Sequence, residues 1–148
     1  MARADYLTGR EVVLIVLPAR AAQPLLDRAQ DIPGFTLQQH VSVAHAWTHW
    51  YTADVVGGVN PLGGPQLDHY HSLARAVRAG TGLALVPHGL VQDDIAAGLV
   101  STPLEDGCMD EMGYYLCYPK SRSHLKPLSN FRQWLPNEVQ RVPPPSPA

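Results

Sequence analysis

The sequence predicts an α/β fold in which strands alternate with helices in an open, parallel-rich sheet. A β-branched run at residues 11–17 and an apolar run at residues 83–86 are each stopped by a proline. Between these runs, apolar residues recur at helical spacing. Parallel strands are joined by right-handed crossovers, and ligands bind beyond the carboxyl ends of such strands.

The amino-acid composition excludes several classes of protein. A chain of 148 residues with 45% hydrophobic and 16% charged residues can bury one core. The net charge of −2 and the absence of a Lys/Arg run exclude a strongly basic nucleic-acid surface. The longest apolar run is too short to cross a bilayer, and the N-terminus does not resemble a signal peptide. We therefore expect a cytoplasmic protein without a membrane partner, and reduced cysteines at Cys108 and Cys117.

The first half of the chain contains two strand patterns and two helix patterns. Residues 11–17 predict a strand buried on both faces, and residues 20–30 predict a helix ended by Ile32-Pro33-Gly34. Residues 35–39 predict a short strand. Ser42 then has the position of an N-cap for a helix that carries, on one side, Trp47, Trp50 and Tyr51.

The segment at residues 67–100 has the order expected of a ligand-binding module. Asp68 can cap a helix whose inward residues are Leu67, Tyr70, Leu73, Ala74 and Val77. Gly80 ends that helix in the left-handed conformation. The strand at residues 83–86 follows, and then a second helix stopped by Gly98.

The C-terminal part predicts a return strand and a final helix. Residues 99–104 are expected to be extended, and residues 105–113 to form an acidic, glycine-containing loop. A strand at residues 114–118 precedes a helix with inward residues Leu125, Leu128, Phe131 and Leu135. From Pro136 onward the proline-rich composition predicts disorder.

Histidines concentrate in the loops that follow the predicted strands. His40, His69, His71 and His88 all fall there, together with Ser42 and Asp68. A helix N-terminus follows each loop, and its backbone N–H groups suit an anion such as a carboxylate. The same residues permit an alternative function, a small hydrolase or metal-dependent enzyme that uses Asp68 and the His40/His69/His71 cluster.

The sequence does not favour that alternative. His69 and His71 are two residues apart at a helix start and point in different directions, so they are poor co-ligands for one metal. No serine has the G-x-S-x-G context of a hydrolase. Gly80-Thr81-Gly82 lies between a helix and a strand, which is the reverse of a dinucleotide fingerprint. We expect no metal, no cofactor and no catalysis.

Three stretches together resemble LysR-type transcriptional regulators. AVRAGTGLALVPHGLVQDDIAAGLV is similar to their helix, G-x-G turn, strand and acidic helix; YYLCYPKSRSHLKPLSNFRQWL resembles their final strand and closing helix. GREVVLIVLPA resembles the strand that crosses between the lobes of their effector domain. The helix after QQHVS resembles the glycine-cleavage-activator-like subgroup.

The resemblance implies a type II periplasmic-binding-protein-like fold, mostly one lobe plus a strand and helix of the other. Residues 1–17 would be a crossover strand from lobe one and residues 18–104 the effector-binding lobe two. Residues 105–135 would return to lobe one, and residues 136–148 would be a disordered tail. The winged helix-turn-helix of such regulators is missing from these residues, so no direct DNA contact is expected.

The resemblance also implies a site and partners. The effector of the family, a small organic anion or amino acid derivative, lies between the lobes, and lobe two contributes two helix N-termini. In this sequence those positions are His40 and Ser42, and Asp68, His69 and Tyr70. Unpaired apolar strand edges predict a homo-oligomer. A transport-type binding protein of the same fold is disfavoured because no export signal is present.

Overall fold

The structure, a computed structural model, describes residues 1–19, 26–43, 46–50, 63–104, 108–110 and 112–141. The chain forms two compact units: Met1–Arg10 with Asp110–Ala148 is unit 1, and Glu11–Met109 is unit 2. Unit 1 contains β1 (Ala2–Thr8), β7 (Tyr114–Pro119) and α4 (Lys126–Val139). Unit 2 contains β2 (Glu11–Ile15), β3 (Leu37–His40), α1 (Ala46–Trp50), β4 (Gln66–Leu67), α2 (Tyr70–Arg78), β5 (Leu83–Pro87), α3 (Gln92–Ala96) and β6 (Cys108–Met109).

The sheet of unit 2 has five strands in the order β4-β3-β5-β2-β6. β3 is parallel to both β4 and β5, as the alternation of strands and helices predicts. β2 is antiparallel to β5 and to β6, so the expectation of a parallel-rich sheet is wrong for half of the pairings. The alternation of strands and helices along the chain predicts the direction only of strands that a crossover helix joins. β2 pairs with strands that are distant in sequence, so this pattern does not predict its direction.

Apolar layers cover both faces of this sheet. Alternate residues of β2 point to opposite faces, so Leu14 joins one buried cluster and Val13 and Ile15 join the other. The first cluster includes Trp47 from α1, and the second includes Leu73 and Val77 from α2. The prediction that residues 11–17 are buried on both faces is confirmed from Val13 to Val16, and the core placement of Trp47 is confirmed.

Glycine turns end the helices of unit 2 as predicted. Gly80 has φ +82° directly after α2, and Gly98 has φ +71° after α3. At Gly82, φ is +135°, and a Cβ there would lie 2.2 Å from the carbonyl oxygen of Thr36. Leu83 donates its N–H to that same oxygen at 2.9 Å, so only glycine lets β5 start this close to β3.

Several predicted elements differ from the observed ones. The extended stretch at residues 99–104 is reduced to one antiparallel bridge between Val16 and Ser101. The loop at residues 105–113 contains the short strand β6. Most of the helix predicted at residues 20–30 lies outside the described residues, and 29–34 form a 3₁₀ helix. Tyr51, residues 105–107 and residues 142–148 also lie outside them.

Unit 1 is a two-stranded sheet with one helix. β1 and β7 are antiparallel, with Ala4 opposite Cys117 and Tyr6 opposite Tyr115. β7 confirms the predicted return strand, whereas β1 was not predicted as a separate strand. Since β1 is the partner of β7 and β2 belongs to the sheet of unit 2, residues 1–17 do not form one crossover strand.

The final helix is longer than predicted. α4 continues through Pro136 to Val139, so disorder does not begin at Pro136. The fixed φ of proline is compatible with a helix. Because proline has no backbone N–H, Pro136 removes one hydrogen bond near the end of α4 without ending the helix. Within the described part of the chain, no helix is long and apolar enough to cross a membrane.

Candidate functional site

Three parallel strands of unit 2 end at one edge of its sheet, which we call the carboxyl edge. β3 ends at His40, β4 at Leu67 and β5 at Pro87, and β3 is paired in parallel with the other two. The segments that follow these strands therefore lie at the carboxyl edge. They are residues 41–43, 68–69 and 88–90, and the first and last form single 3₁₀ turns.

Two of these segments meet through ring contact. The His40 ring lies against the Tyr70 ring with centroids 4.4 Å apart and planes inclined at 31°. The backbone N–H of Ser42 donates to His40 Nδ1 at 3.2 Å. Nδ1 therefore accepts a hydrogen bond within the turn that follows β3. The contacts orient the imidazole between the β3 turn and the start of α2.

A carboxylate lies beside this pair. Asp68 Oδ1 is 2.8 Å from His69 Nδ1, and both side chains are more than 70% exposed. The hydrogen bond from His69 lowers the pKa of the Asp68 carboxyl, and the Asp68 backbone N–H and the charges of His69 and His40 lower it further. Asp68 is therefore ionised at neutral pH and presents a negative charge at the carboxyl edge.

The N-terminus of α2 points its backbone N–H groups at the same edge. The helix begins at Tyr70 with His69 as the N-cap residue, so the prediction that Asp68 caps the helix is wrong by one residue. Leu73 is the first residue to donate within the helix, to the His69 carbonyl oxygen at 3.1 Å. The N–H groups of His71 and Ser72 therefore contribute partial positive charge there.

The backbone under the site is held by glycine and by a buried indole. A Cβ on Gly64 would lie 1.6 Å from the Leu37 carbonyl oxygen, so the loop before β4 can pack this closely on β3 only if residue 64 is glycine. Trp47 Nε1 donates to the Gln38 carbonyl oxygen at 2.9 Å and is itself buried. These contacts hold the amino end of β3 against the loop before β4 and against α1.

All five residues predicted to bind an effector lie at the carboxyl edge. His40, Ser42 and Tyr70 are in mutual contact through His40, and Asp68 contacts His69. Of the other histidines, His71 is exposed in the first turn of α2, and His88 is half-buried after β5. Sequence reasoning missed Val41 and Leu90, which are 47% and 53% exposed. Val41 directly follows β3, and Leu90 is the last residue of the turn after β5.

The described residues at the carboxyl edge contain neither a paired nucleophile and base nor a cluster of metal ligands. His40 accepts from the backbone of Ser42 and not from its hydroxyl, so the pair lacks the geometry of an activated nucleophile. Within the described ranges, no three His, Cys, Asp or Glu side chains are grouped so that they could hold a metal ion. What remains is a set of mixed polar groups around an aromatic pair.

Comparison with known proteins decides the family. The model of the LysR substrate binding domain matches residues 3–140. The chain belongs to this family. It is 32% identical over 132 residues to the HTH-type transcriptional activator AmpR of Rhodobacter capsulatus, covering 88% of this chain and 44% of that protein. It is 26% identical over 110 residues to the glycine cleavage system transcriptional activator of Escherichia coli K12, covering 74% and 36%.

Solved structures show the same fold. The effector domain of AmpR from Pseudomonas aeruginosa superimposes with a TM-score of 0.77 at 25% identity, over 93% of this chain and 66% of that one. CrgA, a LysR-type transcriptional regulator from Neisseria meningitidis, gives 0.72 at 18% identity, over 95% and 48%. The predicted fold class is confirmed. The chain spans less than half the length of these curated relatives, which are transcriptional regulators rather than enzymes.

Proposed function

We propose that this LysR-family chain senses a small organic anion or amino-acid-like effector and catalyses no reaction. One observation supports the proposal above the others: His40 at the end of β3 and Tyr70 at the start of α2 are in ring contact beside an ionised carboxylate. In this proposal unit 2 corresponds to the second lobe of the family's effector domain, and unit 1 to the parts of the first lobe that precede and follow it in sequence.

The polar groups of the carboxyl edge suit a ligand with both charges. The α2 N-terminus favours a carboxylate, while the Asp68 carboxylate favours an ammonium group. Val41 and Leu90 add exposed apolar contact for a side chain. An amino-acid-like molecule satisfies all three features, and a simple dianion satisfies only the first. Binding would act by stabilising one arrangement of a larger regulator over another.

Calorimetric titration with a panel of small carboxylates and amino acids tests this function. We expect a zwitterionic compound to bind with a dissociation constant of roughly 1 mM, because half a cleft buries little of a ligand's surface. Asp68→Asn should weaken binding of that compound about tenfold. The matched control is Asp93→Asn, which removes an exposed carboxylate from the first turn of α3 and should leave binding unchanged.

Two results would contradict the effector site. One is a folded protein that binds nothing across the panel. The other is a bound compound whose affinity changes equally in the Asp68 and Asp93 variants. Stoichiometric zinc or iron in the purified protein would instead revive the metal-dependent enzyme that uses His40, His69 and His71.

Self-association in the cytoplasm is also part of the proposal. Exposed apolar strands favour association with another chain, and LysR-type regulators act as oligomers. Light scattering coupled to size-exclusion chromatography should therefore detect species larger than 16.2 kDa. A clean monomer with uniformly slow amide exchange would contradict it.

A further inference from the structure

Unit 2 contains an open cleft of about 450 Å³ that is separate from the candidate site described above. Its lining comes from the segment after β2, the last turn of α2 and the turn after α3, and consists of Leu17, Arg75, Arg78, Ala79, Gly98 and Leu99. The volume lies within the range of roughly 300–1,000 Å³ that is usual for small-molecule sites. We call this cleft the arginine cleft.

The arginine cleft lies at the opposite end of the sheet from the carboxyl edge. β2 is antiparallel to β5, with Ile15 opposite Ala84, so the segment after β2 lies beside the amino end of β5. α2 runs from Tyr70 at the carboxyl edge to Arg78 at the cleft, which is about 12 Å along the helix axis. A small ligand in the cleft therefore occupies a different place from an effector at the carboxyl edge.

Two guanidinium groups and one carboxylate set the charge of the arginine cleft. Arg75 and Arg78 stand at positions i and i+3 of α2, so their side chains share one face of the helix. Asp94 Oδ1 lies 3.5 Å from Arg78 Nη1 and offsets one of the positive charges. Among the residues that the structure describes, Arg75 takes part in no ion pair. The described groups thus leave one net positive charge, which suits a monoanion.

The other wall of the cleft is apolar and is held in place by backbone hydrogen bonds. Leu17 is half-buried and Leu99 is 38% exposed. Val16 and Ser101 exchange two backbone hydrogen bonds of 3.0 and 2.8 Å, which hold the segment after β2 against the segment after α3. The Leu99 N–H also donates to the Asp94 carbonyl oxygen at 2.9 Å. Because this wall is formed before a ligand arrives, little ordering free energy is lost on binding.

Basic residues in the last turn of a helix also have a structural role, because they complement the helix dipole. In α2 the carbonyl oxygens of Arg75, Ala76 and Val77 already accept hydrogen bonds from the backbone N–H groups of residues 79–81. The end of the helix is thus satisfied by its own turn. The dipole role does not account for a cleft with an apolar wall beside the two arginines.

We propose that the arginine cleft binds a small monocarboxylate with an apolar body, and that it is a second ligand site of this chain. The carboxylate accepts hydrogen bonds from the Arg75 guanidinium and competes with Asp94 for Arg78. The apolar body lies on Leu17 and Leu99. This site is independent of the proposed effector function, since it uses no residue of the carboxyl edge.

The experiment titrates the full, isotope-labelled chain of 148 residues with sodium hexanoate and follows the backbone amide signals by NMR. The signals of Gly98 and Leu99 should shift. Acetate lacks the apolar body and hexanol lacks the charge, so at equal ionic strength each should bind about tenfold more weakly than hexanoate. Shifts confined to Ser42 and Tyr70 would place the compound at the carboxyl edge and overturn the proposal.

Substitutions that change the charge of the cleft in opposite directions supply the specific test. Arg75→Gln should weaken hexanoate binding about fivefold, because it removes the guanidinium and keeps much of the side-chain length. Asp94→Asn should strengthen binding about twofold, because Arg78 then has no competing carboxylate. The matched control is Arg122→Gln, which removes an exposed arginine of unit 1 and should have no effect. Circular dichroism checks that each variant is folded.

The absence of a shift at Gly98 in the folded protein would overturn the proposal. Equal weakening in the Arg75 and Arg122 variants, or weaker binding in the folded Asp94 variant, would overturn it as well. Asp68→Asn, which tests the effector site, should leave the Gly98 shift unchanged. The second ligand site and the effector site can therefore fail separately.

Discussion

The two units of this chain are stabilised in different ways. Unit 2 holds seventeen of the eighteen buried hydrophobic residues described, packed in two clusters on its five-stranded sheet. Unit 1 is held mainly by contacts of polar and aromatic groups. Arg132 bonds Asp5 and lies 4.6 Å from the centre of the Tyr118 ring. Arg10 donates to the Tyr115 hydroxyl at 2.6 Å and lies over the Tyr6 ring.

This difference shows that strand formation and core formation are separable. β7 and α4 form from local sequence signals, yet little in unit 1 is removed from water. Burial of apolar surface is the dominant favourable term in folding, so unit 2 carries most of the free energy of unfolding. The carboxyl edge is built on the unit that contains most of the buried apolar residues described.

The largest effect is expected from a core truncation in unit 2. Leu14 is fully buried in β2, and Leu14→Ala should lower the free energy of unfolding by about 2–5 kcal/mol. Leu125→Ala at the start of α4 is the matched control, since Leu125 is 44% exposed, and should cost less than about 1 kcal/mol. Urea denaturation followed by circular dichroism measures both. Equal losses of unfolding free energy in the two variants would contradict the proposed difference in stability between the units.

A backbone substitution tests the turn that begins β5. Gly82→Ala should cost roughly 2–3 kcal/mol, because the new methyl group would collide with the Thr36 carbonyl oxygen at a positive φ. Gly98→Ala also has positive φ but meets nothing within 4 Å, so about 1 kcal/mol is expected. Thermal unfolding of the two variants separates collision from backbone strain. A cost at Gly98 as large as that at Gly82 would show that the collision is relieved.

Unit 1 should lose stability in acid through the protonation of Asp5. The hydrogen bond from Arg132, with that from Tyr118, lowers the pKa of Asp5 below its usual 3.8. The stabilisation is therefore complete above pH 3.8 and is lost as pH falls through the lower folded-state pKa. The protection of the α4 amides against exchange, expressed relative to the intrinsic exchange rate at each pH, should decrease between roughly pH 5 and pH 2. Asp5→Asn should remove this pH dependence; its persistence in the variant would assign it to another group.

The smallest effect on stability is expected on the outer side of α4. Trp134 is 52% exposed, with its ring 5.7 Å from the Phe131 ring. Trp134→Ser should change the free energy of unfolding by less than about 0.5 kcal/mol. It should also reduce self-association seen by light scattering. A loss above 2 kcal/mol would mean that unit 1 has a core that includes this ring.

Much of unit 2 could be predicted from sequence, and less of unit 1. The β-branched run of β2, the Pro stop after β5 and the glycines at residues 80 and 98 each encode local geometry, and the structure contains all of them. β1 escaped prediction because its residues are mostly exposed and it contains no buried apolar run. α4 passes Pro136 because composition alone does not reveal where a helix stops.

The candidate site was predictable as a location but not as an arrangement. Polar residues after β3 and β4 could be assigned to one edge once those strands were taken as parallel. The ring contact between His40 and Tyr70, and the contact of Asp68 with His69 rather than with the helix, required coordinates. The rotamers of these side chains, and the exact residue at which α2 starts, depend on residues that are close in space. The spacing of residues along the sequence does not identify those neighbours.

Residue order alone determined the family, the strand and helix types of unit 2 and the loops that carry its histidines, because periodicity and φ preferences act over a few neighbouring residues. Only the tertiary structure decided the antiparallel direction of β2, the pairing of β1 with β7 and the exposure of most residues of these two strands. These features depend on which distant segments exclude water from one another, and that competition involves the whole chain.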